Sequence, residues 1–149
     1  TATGTQPTHT PTPTPTGTGE PPTPTETPSP TPTGGDAFIL DLRLNQSTFN
    51  AGDLFLLELD ITRAGSTVTV DQYLILDVYG MFFYAPGWSE IPDFETLTYY
   101  DGYQETTEIF NFTWPSVQGH ASDLRFYVGC LYSGTADLIG NIDMEVFGY

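Results

Sequence analysis

The sequence predicts an all-β protein: an antiparallel β-sandwich, Ig-like or jelly-roll, of seven to eight strands, entered through an extended Thr/Pro tail. Three observations point there. From residue 36 onward the apolar residues recur with period two, as in Phe38-Ile39-Leu40-Asp41-Leu42-Arg43-Leu44. Turn residues separate these stretches at intervals of about 8–15 residues, the spacing of short sandwich strands. No window shows a helical period, and the region is rich in the β-branched and aromatic residues that suit a pleated surface.

The first expected strand, Asp36–Leu44, leads out of the tail. Asn50-Ala51-Gly52-Asp53 is a turn signal, and Leu54–Ile61 follows it with alternating character. Ala64-Gly65-Ser66 separates that strand from Val68–Tyr79. Met81–Tyr84 comes next and stops at Pro86-Gly87. Glu95–Tyr100 ends at Asp101-Gly102, and Glu105–Thr113 runs on toward Gly119. Leu124–Tyr132 ends at Ser133-Gly134. Asp137–Phe147 closes the chain, with Gly140-Asn141 as an internal turn signal. Asp41, Glu58, Asp60, Asp77, Glu108, Asp143 and Glu145 are expected to face solvent and to discourage pairing between sheet edges. The first strand is expected to pair at home, with donation to a neighbouring chain by strand addition as the alternative.

Residues 1–35 form a separate compositional unit, and residues 36–149 the domain. Residues 1–33 hold 10 of the 13 prolines and 14 of the 24 threonines. Proline fixes φ and keeps the residue before it out of the α region, so this stretch is expected to be extended and polyproline-like. It has no large apolar residue with which to build a core. Hydroxyls alternating with prolines suit O-glycosylation. The candidates are Thr8, Thr10, Thr12, Thr14, Thr16, Thr23, Thr25, Thr27, Ser29, Thr31 and Thr33. A bare spacer is the alternative.

The formal charge is −16, with Arg43, Arg63 and Arg125 the only strong cations. So acidic a surface repels phosphate backbones and anionic headgroups, which excludes nucleic acid as an expected partner. No apolar run approaches the roughly 20 residues that span a bilayer, so membrane insertion is not expected either. A secreted chain of this sequence would already have shed its signal. The single cysteine, Cys130, rules out an internal disulfide framework and is read as a small buried hydrophobe.

Catalytic signals are sparse. The histidines are His9 in the tail and His120 in a turn, and no nucleophile elbow, zinc-helix motif or phosphate loop occurs. With 19 acidic residues, a carboxylate pair such as Glu90 and Glu95 carries little weight, and the chain is read as non-enzymatic. No metal ligands or cofactors are assigned. Calcium is the lesser candidate: Asp53, Asp71, Asp93, Asp101 and Asp123 sit near turns, but without an Asp-x-Asp-x-Asp-Gly loop a solvated acidic surface is the simpler reading. Asn45-Gln46-Ser47 and Asn111-Phe112-Thr113 match the N-glycosylation sequon. The middle third is dense in aromatics, namely Tyr79, Phe82, Phe83, Tyr84, Trp88, Tyr99, Tyr100, Tyr103 and Trp114. A core absorbs about half of such residues in strands; the excess with polar handles favours contact with another subunit or a glycan.

Several stretches together are distinctive: Phe49-Asn50-Ala51-Gly52-Asp53-Leu54-Phe55, Tyr73-Leu74-Ile75-Leu76-Asp77-Val78-Tyr79-Gly80, Phe83-Tyr84-Ala85-Pro86-Gly87-Trp88, and Phe112-Thr113-Trp114-Pro115. With the ending Leu138-Ile139-Gly140 to Phe147-Gly148-Tyr149, they make residues 36–149 resemble a β-sandwich module of secreted or surface proteins of bacteria. That module commonly follows a Thr-Pro-rich linker at the C-terminal end of the protein. The resemblance implies an extracellular location and a β-fold, and it brings no catalytic residues. The end at Tyr149 is what a stand-alone subunit would show.

Together these features lead to an expected function: a homopolymeric, glycosylated subunit of an extracellular bacterial surface fibre. Subunits would assemble head to tail, with the tail docked on or inserted into the next. The interface candidates are Phe38, Leu40, Leu42, Leu44, Tyr79, Phe83, Tyr84, Trp88, Tyr99, Tyr100 and Tyr103. The alternative is a carbohydrate-binding or adhesin module on a glycosylated stalk.

Overall fold

A computed structural model describes residues 36–149. The Thr/Pro tail, expected to be polyproline-like, and its eleven O-glycosylation candidates lie outside the described residues. Eight strands form: β1 Ala37–Leu44, β2 Leu54–Ala64, β3 Val68–Val78, β4 Met81–Tyr84, β5 Glu95–Tyr99, β6 Gln104–Thr113, β7 Leu124–Tyr132 and β8 Leu138–Phe147. All pair antiparallel, in a three-stranded sheet of order β1-β2-β6 and a five-stranded sheet of order β4-β3-β7-β8 in which β5 also pairs with β3. Strands 1, 2 and 6 in one sheet against 3, 7 and 8 in the other is the Ig-like arrangement, which settles the choice against a jelly roll.

Period-two sequence becomes a sandwich because alternate side chains leave opposite faces of a strand. Phe38, Leu40 and Leu42 of β1, and Phe55, Leu57, Leu59 and Ile61 of β2, point into the core. They meet Val70 and Leu74 of β3 and Leu124, Phe126, Val128 and Cys130 of β7. Each fully buried Leu or Phe contributes about 1.5–3 kcal/mol. One end is aromatic: Phe55 lies 4.6 Å from Phe49, 5.3 Å from Trp114 and 5.4 Å from Phe147 between ring centroids. β3 ends one residue earlier than its apolar run, because Tyr79 and Gly80 both take positive φ in the turn to β4.

Three acidic positions expected in solvent lie elsewhere. Asp77 is buried, and its Oδ1 accepts the Gly80 N–H at 2.7 Å, closing the β3–β4 turn. Asp143 turns toward β1. Glu145 is half-buried, and burial together with the neighbouring Asp143 and Asp41 pushes its carboxyl above the ordinary range. Arg63 is also buried; its guanidinium donates to the carbonyls of Ser66 and Ala37, pinning the start of β1 to the β2–β3 turn.

β1 is the edge of its sheet, and β8 closes that edge with side chains. Asn141 accepts the Leu40 N–H at 2.9 Å and donates to the Leu40 carbonyl at 2.8 Å. Two residues on, Asp143 accepts the Leu42 N–H at 2.6 Å. A side-chain amide thus reproduces a β-ladder pair on an edge that would otherwise template another strand. Gly140 permits this approach: at φ +72° its backbone runs so close to β1 that an added Cβ would sit 2.2 Å from the Phe38 carbonyl oxygen.

Candidate functional site

The outer face of the five-stranded sheet departs from the usual alternation of apolar-in and polar-out. β3 presents Tyr73 and Ile75 outward, β4 presents Phe82, β7 presents Tyr127, Gly129 and Leu131, and β8 presents Leu138 and Ile142. These residues line an open cleft of about 500 Å³. Gly129 lies directly opposite Tyr73 in the β3–β7 register, and a Cβ placed on it would come 3.3 Å from Ile142 Cγ1. Gly129 lies where the β7–β8 register shifts, and the group that approaches it is Ile142 of the bulged β8. Ile142 is 61 % exposed, and Phe82, Leu138 and the adjoining Met144 and Phe94 are exposed as well. Phe94 packs on Tyr73 with centroids 5.2 Å apart. None of the lining residues carries a formal charge, although residues 36–149 hold 17 acidic side chains against three arginines.

A second aromatic cleft, of about 410 Å³, lies among Phe83, Trp88, Phe110, Phe112 and Trp114. Its rings already pack on one another: Trp88 is 5.1 Å from Phe110, and Phe112 stacks 5.0 Å from Phe55. It therefore reads as the aromatic end of the core.

The sequence-derived interface candidates scatter across the domain. Phe38, Leu40, Leu42 and Tyr99 are buried in the domain's own core. As β1 pairs with β2 along its full length, the first three reach a partner only if β1 leaves its sheet. Leu44, Phe83, Tyr84, Trp88 and Tyr103 are half-buried, and Tyr79 and Tyr100 are exposed at loop tips. The Tyr79 hydroxyl accepts the Ser122 N–H. Tyr99 donates to Gln72 Oε1 and Tyr103 to Glu105 Oε2; burial raises the first phenol's pKa, and the hydrogen bond to Glu105 raises the second's. These aromatics do not make one surface. The cleft residues Tyr73, Ile75, Tyr127, Leu131, Leu138 and Ile142 were outside that set. Their signal lay in the unbroken apolar runs Tyr73–Leu76 and Phe126–Val128, where β-strands apolar on both faces lose their alternation.

Among the described residues no group of three or more His, Cys, Asp or Glu side chains is placed to hold a metal ion. The calcium candidates instead serve separate loops. Asp53 accepts the Asn50 N–H, Asp71 accepts the Gly134 N–H and the Thr96 hydroxyl, and Asp101 accepts the Gly65 N–H. Asp93 accepts its own neighbour's N–H, from Phe94, and Asp123 takes the Ser122 hydroxyl. The Asn50 and Gly134 amides hold Asp53 and Asp71, respectively, below the ordinary carboxylate range. Cys130 is fully buried, which pushes its thiol up to about 12. Of the two sequons, Asn45 has its amide committed to Leu54 and Leu56 backbone, whereas Asn111 is exposed on β6 and donates to Glu108. Among the described residues no helix is long and apolar enough to cross a membrane.

No protein-family model and no curated protein matches the chain. Among solved structures, it is similar to a β-glucosidase from Listeria innocua. A point mutant of that enzyme in complex with laminaribiose is 19% identical with a TM-score of 0.39, over 76% of this chain and 16% of that one. The complexes with isofagomine and with glucose are each 18% identical with a TM-score of 0.40, over 75% of this chain and 16% of that one. The chain therefore spans about one-sixth of the enzyme's length.

Proposed function

We propose that the protein is a non-enzymatic structural subunit of an extracellular, glycosylated bacterial fibre, joined to further copies of itself. The outer-face cleft is the observation that supports this reading. An exposed, contiguous apolar surface on an otherwise acidic domain is a place where association removes apolar area from water without desolvating charge. A contact between this face and a different part of the next subunit does not close on itself, so it propagates as an open filament. The Thr/Pro tail supplies a hydroxyl-rich segment for O-linked sugars, and the resemblance to secreted bacterial modules supports the extracellular location. Here β1 stays in its own sheet, since Asn141 and Asp143 occupy its outer edge.

The carbohydrate-binding alternative fits the cleft less well. Sugar sites pair a stacking ring with polar groups that converge on hydroxyls. Five of the cleft's residues, Ile75, Val128, Leu131, Leu138 and Ile142, are aliphatic.

Sedimentation velocity of the full chain over a concentration series tests the reading. The wild type is expected to grow into species well above the 16.3 kDa monomer, and Ile142→Asp, which charges an exposed cleft position, is expected to stay monomeric. A wild type that remains monomeric throughout would overturn the proposal.

A further inference from the structure

Resting on that reading, we infer that the outer-face cleft receives the Thr-Pro segment of a neighbouring copy, centred on residues 7–16 and bound as a polyproline II strand. The cleft suits such an occupant chemically. Proline rings are apolar and their backbone is already ordered, so burying them against aromatic side chains costs little conformational entropy. Tyr73, Phe82 and Tyr127 supply the rings. Prolines also leave a strand rich in carbonyl acceptors and poor in donors, and Tyr73 and Tyr127 each bring a phenolic O–H that can donate.

Charge and reach select this segment over other occupants. A second copy of the acidic domain would bring carboxylates to an uncharged cleft, whereas residues 1–19 contain no Asp, Glu, Lys or Arg. If fully extended at the polyproline rise of about 3.1 Å per residue, the chain between residue 16 and Asp36 would reach at most roughly 60 Å. A domain of this size is roughly 35 Å across, so the segment reaches a neighbour. One tail held by the next subunit's outer face is a head-to-tail contact, which is the linkage a filament needs, and the hydroxyls left to carry O-linked sugars are then those from Thr23 to Thr33, outside the bound segment.

A mixed-label relaxation experiment tests this on the full chain. Thr10→Cys provides an attachment point for a nitroxide, because the native Cys130 is fully buried with its thiol pushed up to about 12 and does not compete. The spin-labelled chain, at natural isotope abundance, is mixed with ¹⁵N wild type at a concentration where sedimentation shows mostly monomer. Loss of amide intensity at Gly129, Leu131 and Ile142 of the ¹⁵N chain, abolished by Ile142→Asp in that chain, is the expected result. No loss in the mixture would overturn the inference, as would loss confined to a chain carrying label and ¹⁵N together, which places the segment on its own domain. Loss that persists with Ile142→Asp would overturn the cleft as the site. If the chain polymerises while the cleft amides stay sharp, this inference fails and the fibre reading stands. A chain that stays monomeric at every concentration sinks the fibre reading itself.

Discussion

Truncating Asn141 to alanine removes two hydrogen bonds at once, those of its Oδ1 with the Leu40 N–H and its Nδ2 with the Leu40 carbonyl. Each ordinary hydrogen bond contributes about 0.5–1.5 kcal/mol net, so the pair sets a ceiling of about 3 kcal/mol. Asn141 is itself exposed, and water can reach the freed Leu40 groups after truncation. The cost therefore belongs in the lower half of that range, about 1–2 kcal/mol. For a domain near 100 residues this corresponds to a melting temperature lower by about 4–8 °C. Thermal unfolding followed by tryptophan fluorescence reads the global effect, and native-state hydrogen exchange reads the local one at the Leu40 amide. Asn141→Asp keeps an acceptor for the Leu40 N–H but loses the donor to its carbonyl, so it should fall between alanine and the wild type. An Asn141→Ala protein with an unchanged melting temperature and unchanged Leu40 protection would refute the edge-closing role of β8.

Other outcomes follow from the same structure. Gly140→Ala should cost more than about 2 kcal/mol or prevent folding, because it adds strain at positive φ to a clash with the Phe38 carbonyl; denaturant unfolding measures it. Cys130 should resist alkylation at pH 8 in the folded chain and react at once in denaturant, as mass spectrometry would detect. Asp71 has a folded-state pKa below its ordinary 3.8, so its stabilisation is present above that value and is lost as the pH falls through the folded pKa. Asp71→Asn should accordingly flatten the acid limb of the stability curve. Glu145, raised above 4.5, contributes in the opposite sense: its share is complete below 4.5 and disappears as the pH rises through the folded value. Glu145→Gln should therefore raise the melting temperature at pH 7 and leave it little changed at pH 4.

The strands were legible because burying one face of a sheet imposes period two on the sequence, and β1, β2 and β7 follow it closely: Phe38-Leu40-Leu42, Phe55-Leu57-Leu59-Ile61 and Phe126-Val128-Cys130 are all buried at alternate positions. The closure of the β1 edge was not legible. Gly140-Asn141 has the composition of a turn, and only the approach of β8 to β1, 101 residues away in sequence, converts it into a bulge that aims Asn141 at Leu40. Asp143 and Glu145 similarly follow the edge-protecting pattern, yet they sit at the join between the two sheets, where one becomes a hydrogen-bond acceptor for Leu42 and the other is partly desolvated. The candidate surface was obscured for a different reason. Aromatic density drew attention to Tyr79–Trp88, much of which packs on the domain itself, whereas the cleft is shared among four strands, β4 giving only Phe82, and is evident only once register sets Tyr73 beside Gly129.

Self-assembly is the central claim, and electron microscopy of native material with intact mass on the same sample tests it most directly. Filaments, with a mass per chain well above the 16.3 kDa of the bare polypeptide, are the expected result for a glycosylated fibre subunit. Monodisperse particles at the bare mass would contradict the account.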